Sequence, residues 1–155
     1  MRIRRAVPAD ATAIWAIHTR AIRERASSHY SPETVAAWSG RMTPESYVEP
    51  IEARVVLVAE EDDGRLSGFA QLHPVEGVVE ACYVDPDFAR AGVGRALMSA
   101  LEGAAREQGR TALLLHASTN AIAFYRALGW TREADARHEL APGAWLDCAI
   151  MTKRL

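Results

Sequence analysis

Gly92-Val93-Gly94, with Arg90 before it and Arg95 after it, is the stretch of this 155-residue chain most suited to chemistry, and that chemistry is anion binding. A short apolar strand, Ala81 to Val84, stops at Asp85-Pro86. After the glycines, Val93, Leu97 and Leu101 recur at spacings of four, as on one face of a helix. A helix N-terminus presents unpaired backbone N–H groups and a partial positive charge. Glycine has no Cβ, so phosphate oxygens can approach the backbone closely. Strand, glycine loop and helix together read as a pyrophosphate cradle.

The common nucleotide motifs do not fit. A dinucleotide fingerprint requires a third glycine three residues after Gly94, where Leu97 stands, and an acid closing the next strand, where Leu113-Leu114-Leu115-His116 has none. A Walker loop requires Gly-Lys-Ser/Thr, but Arg95-Ala96 follows the last glycine.

Two blocks resemble the GNAT superfamily of acyl-CoA-dependent N-acyltransferases. Val84-Asp85-Pro86 through Gly92-Val93-Gly94-Arg95-Ala96-Leu97 is similar to its CoA-pyrophosphate motif. Ser118 to Trp130 is similar to its A-x-x-x-Y-x-x-x-G-F block, with Trp130 for Phe. A further likeness, His29-Tyr30-Ser31-Pro32 followed by Ala37-Trp38, is to a subgroup of small bacterial members. There are two departures. Ala89 stands where the family often has Gln or Arg, and Ser118 where it often has Asn, with Asn120 two residues later.

The resemblance implies acetyl transfer from acetyl-CoA to an amine. It assigns cofactor contacts to Cys82, Tyr83 and Val84 on the strand, and to Arg90, Ala91, Gly92, Val93, Gly94, Arg95 and Ala96 on the loop. Ser118, Asn120, Phe124 and Tyr125 of the second block complete that set. The thioester oxygen needs a hydrogen-bond donor, which the family supplies from backbone near Val84, and the departing thiolate benefits from an acid. Tyr125 matches the family tyrosine and is the candidate acid; its other reading is an aromatic that braces the cofactor. Strand alternation sets Glu80, Cys82 and Val84 on one face, making Glu80 the candidate base or holder of a cationic amine. Its other reading is a solvated residue on the outer face. His29 and Tyr30, between the first two helices, together with Trp38 and His73, are candidates for the acceptor wall. Trp145 is weighed with them; aromatic core is the stronger reading for both tryptophans, and a structural strand-end role for His73.

Direct attack by a bound amine of a small molecule or peptide is expected, rather than a route through Cys82, which nothing nearby activates. The rival reading is a CoA-binding sensor without turnover. Homodimers are common in the family, though no feature of this sequence establishes one.

The elements that must position these residues follow in order. Arg2 to Val7 reads as a strand; a helix opens at Pro8 and Asp10; Ser31-Pro32-Glu33 and Thr43-Pro44-Glu45 open two more. Three strands from Arg54 to Val84 form an antiparallel meander. The glycine-loop helix, a buried strand Thr111–His116, a helix capped by Ser118 or Thr119, and two strands around Pro142-Gly143 complete the chain. This is an α+β domain over residues 1–155, three-layered, with a central mixed, mostly antiparallel sheet flanked by helices. By resemblance, the sheet splays between its fourth and fifth strands.

The chain is 49% hydrophobic and 25% charged, with a net charge of −2, which gives no bulk electrostatic case for nucleic acid or membrane binding. The N-terminus lacks the apolar run of a signal peptide, and two cysteines make no disulfide framework; a cytoplasmic protein is expected. The five histidines show no metal-ligand spacing.

Overall fold

In the computed structural model, which describes residues 1–155 apart from the side chain of Ala141, one seven-stranded sheet runs in the order β1-β2-β3-β4-β5-β7-β6. The strands are β1 Arg2–Arg5, β2 Val55–Glu60, β3 Leu66–His73, β4 Val78–Val84, β5 Ala112–Ser118, β6 Thr131–Ala141 and β7 Ala144–Arg154. The helices are α1 Ala11–Arg25, α2 Pro32–Gly40, α3 Val48–Ala53, α4 Val93–Glu107 and α5 Ile122–Ala127. The expected element order and meander are present.

Local chemistry explains most boundaries. Ser31 caps α2 by accepting the Thr34 N–H at 3.2 Å, with Pro32 in the first turn. The turn between β2 and β3 closes through Gly64, with its N–H on the Glu61 carbonyl. The cap expected from Ser118 or Thr119 is absent. Ser118 ends β5, its carbonyl accepts the Ala121 N–H at 2.9 Å, and α5 begins at Ile122 without a side-chain cap.

Two apolar layers sandwich the sheet. On one side α4 buries Val93, Leu97, Met98, Leu101 and Ala105 against Leu57, Ala70, Leu72 and Leu115. On the other, α1 and α3 cover Val56, Val58 and Phe69 with Ile14, Ile17 and Ile51. A third cluster joins Ile22 of α1 and Trp38 of α2 to Leu140 and Leu146 of the β6–β7 hairpin. All strand pairs are antiparallel except β4–β5, which is parallel and short: only Val78 with Leu114 and Val79 with Leu115 are in register. Beyond them β5 follows β7 and parts from β4. The sheet is therefore open beside the second half of β4, as expected.

Candidate active site

The loop after β4 is built to expose backbone N–H groups. The Asp85 carboxylate accepts the Asp87 N–H at 2.9 Å and is held by Arg20 of α1 at 2.9 and 3.0 Å. Arg90 (φ 64°) and Gly92 (φ 81°) then adopt left-handed backbone, the kind of alternation that turns amides toward a common point. The first helical bond of α4 runs from the Ala96 N–H to the Gly92 carbonyl at 3.0 Å. Among the described residues the N–H groups of Val93, Gly94 and Arg95 thus have no acceptor, and Gly92 supplies no capping side chain. The two glycines differ in their reasons. A Cβ on Gly92 would meet nothing within 4 Å, so the positive φ is what demands glycine there. A Cβ on Gly94 would lie 2.9 and 3.0 Å from the outer edge of the Phe124 ring, so a larger residue there must displace that side chain.

A cleft of about 770 Å³ leads from this loop through the opening in the sheet. Asp85 donates its N–H to the Ser67 carbonyl of the β3 side. The two-residue period of an antiparallel ladder then points the N–H groups of Tyr83 and Ala81 toward β3, and those of Val84 and Cys82 into the gap. Tyr125 lines the gap from α5, edge-on to Trp130 with ring centroids 6.0 Å apart. Its hydroxyl has no protein partner among the described residues, and burial holds its acidity well below that of a free phenol. Burial likewise pushes the Cys82 thiol up to about 12. Asn120 also lines the cleft, and its Oδ1 is buried without a partner.

The α1–α2 side supplies the other wall, and here the structure departs from strand alternation. Pairing slips between Gln71 and Leu72, where Leu72 faces Val79 but Gln71 faces Ala81. This bulge puts Val79 with Cys82 and Val84 on the α4 face. The Glu80 carboxylate goes to the opposite face, where Arg54 Nε meets it at 2.9 Å and Gln71 Nε2 at 3.4 Å. Glu80 still lines the cleft, but from the α1 side and already ion-paired. Trp38 lines it as well.

Three other expected acceptor residues lie elsewhere. His29 is exposed beside Ser28 Oγ. Tyr30 donates its hydroxyl proton to the Asp147 carbonyl at 2.6 Å and accepts the Thr119 N–H at 2.8 Å, so it ties strand β7 to the β5–α5 loop. His73 accepts the Glu76 N–H and closes the β3–β4 turn. Trp145 is no core residue either: it is 43% exposed under Arg137.

The sequence reading missed His18. It faces the cleft from α1, its Nδ1 2.7 Å from the Tyr47 hydroxyl and its ring 4.1 Å from that of Tyr83, with Nε2 buried and unpartnered. The available signal was its position on the apolar stripe of α1, four residues after Ile14 and before Ile22. His116 of β5 lines the cleft too.

The profile of the acetyltransferase (GNAT) domain family matches residues 26–143. The N-acetyltransferase YafP of Escherichia coli is 30% identical over 145 residues, covering 94% of this chain and 90% of that one. The chain belongs to the GNAT superfamily. Its structure superposes on that of a GCN5-related N-acetyltransferase of Rhodopseudomonas palustris with a TM-score of 0.92 and 29% identity, over 99% of this chain and 95% of that one. YncA of Salmonella typhimurium, solved with its cofactor acetyl-CoA, matches with a TM-score of 0.76 and 29% identity, over 100% of this chain and 94% of that one.

This GNAT domain is thus an acetyl-CoA-dependent acyltransferase, and its residues fit that cosubstrate. The free amides of Val93, Gly94 and Arg95 suit a pyrophosphate, and the orphaned Asn120 Oδ1 suits an amide N–H of a pantetheine arm. Of the expected contacts on the loop, Arg90, Gly92, Val93, Gly94 and Arg95 line the cleft, whereas Ala91 and Ala96 do not. Ser118 and Phe124 line it from the second block.

Proposed function

We propose that this chain acetylates a primary amine of a small molecule or peptide by direct attack in a ternary complex. One observation carries the reading: β4 and β5 part beside the anion-binding loop, and the free Val84 N–H, the Tyr125 hydroxyl and Glu80 all border the gap. Acetyl-CoA supplies the activated acetyl group. Val84 donates its N–H to the thioester oxygen as negative charge grows there. The Tyr125 hydroxyl keeps its proton across the assay range and can pass it to a departing sulfur. Glu80 attracts the acceptor ammonium and, directly or through water, takes its proton. Ser118 is the second contact proposed for the pantetheine arm. The Cys82 thiol, pushed up to about 12 by burial, has almost no thiolate at neutral pH, which disfavours an acetyl-enzyme.

Trp38 is retained as an acceptor contact; His29, Tyr30 and His73 are not. In the likeness to the small bacterial subgroup, Tyr30 then counts for holding the β5–α5 loop. We read residues 1–155 as one such domain. Its two free cysteines fit a reducing compartment such as the cytoplasm. The dimer implied by the family is tested by sedimentation.

The deciding experiment pairs acetyl-CoA calorimetry with thiol release over a panel of amines. Binding with amine-dependent release supports the reading. Binding without release from any amine would return the chain to the sensor class, and no binding by a folded sample free of CoA would withdraw acetyl transfer.

A further inference from the structure

Part of the positive charge of the cleft lies away from the pyrophosphate loop. The protein is net negative, yet its cleft is lined by four arginines, Arg25, Arg41, Arg90 and Arg95, against one carboxylate, Glu80. Arg90 and Arg95 flank the pyrophosphate loop. Arg25 and Arg41 belong to the other wall. Arg25 continues the cleft-facing stripe of α1, which runs His18, Ala21, Ile22, Arg25 at helical spacing. Arg41 follows the last residue of α2.

Neither cation is spent within the protein. Among the described residues, neither Arg25 nor Arg41 makes a side-chain hydrogen bond or an ion pair, whereas Arg20 on the same helix is tied to Asp85 and Asp87, and Arg23 to Ser39. Glu80, the one acid nearby, is already paired with Arg54. Trp38, Met42 and Leu146 line the same part of the cleft, and low-dielectric walls strengthen the attraction of a cation for an anion. Independently, the buried Nε2 of His18 on this wall is an unused polar atom. Such a groove awaits a ligand with an anionic group.

We propose that the acceptor is a small amine that also carries a carboxylate or comparable acidic group, which Arg25 and Arg41 hold while the amine sits toward Glu80. This rests on the acetyl-transfer reading above and narrows its substrate class. The acceptor ammonium first releases one proton to Glu80, directly or through water, and so to solvent; its nitrogen then forms the new bond to the acetyl carbon and gives up a second proton. The bond from that carbon to sulfur breaks, and CoA leaves as the thiol carrying one proton, so charge and atoms balance. Arginine is suited to the task because its planar fork pairs with both oxygens of an acid group.

The test uses the full chain, the twenty protein amino acids and their α-carboxamides, with thiol release from acetyl-CoA as readout. At least one acid should be acetylated about ten-fold or more efficiently than its own carboxamide, the size expected from one charge-assisted contact. Arg25→Gln and Arg41→Gln should each raise KM for that acid about ten-fold, leave kcat within about two-fold, and leave the carboxamide kinetics unmoved. Added salt should raise KM for the acid only. Carboxamides used as well as acids, arginine variants that affect both series alike, or no turnover of any acid would each overturn the proposal. Acetyl-CoA calorimetry on the same samples separates the two failures: a protein that binds acetyl-CoA but ignores acids loses the acidic acceptor alone, and one that binds none loses acetyl transfer.

Discussion

Tyr125 and Cys82 face one cleft, and burial weakens the acidity of both, with opposite consequences. A phenol that keeps its proton remains a donor; a thiol that keeps its proton is no nucleophile. Tyr125→Phe should therefore lower kcat about a hundred-fold with acetyl-CoA affinity within about two-fold, read by steady-state kinetics and calorimetry. Cys82→Ala should change kcat by no more than about two-fold. A hundred-fold loss in the cysteine variant, with an acetylated wild-type protein seen by mass spectrometry, would replace direct attack by a two-step route. His18 gives a pH signature. Burial, with Arg41 adding to it, holds its imidazole down to about 3 from 6.5. The unfolded chain takes up this proton near pH 6.5 and the folded chain only near 3. Stability is thus full above pH 6.5 and falls as the pH drops through that window. The loss attributable to His18 is about 2 kcal/mol by pH 5. Urea denaturation of wild type and His18→Phe at pH 7 and 5 measures it, and an equal loss in both would contradict the account. The glycine loop and Tyr125 were legible in the sequence because their chemistry is local or family-patterned. His18, Arg25 and Arg41 were not, because a helix stripe becomes a cleft wall only after α1 and α2 have packed across the sheet.

At the scale of elements, one bulge redirects a catalytic candidate. Strand alternation would set Glu80 beside Cys82 and Val84; the slip at Val79 sends it to the α1 side. No residue in Val78–Val84 announces a bulge, since neither Gly nor Pro marks it. Tyr30 teaches the same lesson over a longer range. Its partners, Thr119 and Asp147, lie 89 and 117 residues away, so a local reading could not separate acceptor contact from structural tie. Tyr30→Phe leaves both backbone groups without that hydroxyl, a loss of about 1 kcal/mol. The melting temperature should fall by about 2–4 °C for a chain of this length. The variant should also weaken acetyl-CoA binding, because the released loop begins after Ser118 and carries Asn120. A lower melting temperature with unchanged affinity would limit Tyr30 to stability. The meander, the α4 stripe and the helix starts were readable because each depends on neighbours within a few residues.

For the molecule as a whole, the parted strands make the sheet a wall with a slot in it. Loop amides and Phe124 border the slot on the α4 side; His18, Trp38 and Glu80 border it on the other. On the proposed ternary-complex route, two reactants arrive from opposite directions without queuing. Neither must leave for its counterpart to enter. Initial-rate lines at several fixed acceptor concentrations should intersect rather than run parallel. Free CoA should compete with acetyl-CoA yet leave acceptor binding untouched, giving noncompetitive inhibition against the amine. On that route the opening between β4 and β5 sets the traffic rules of the reaction as well as its chemistry.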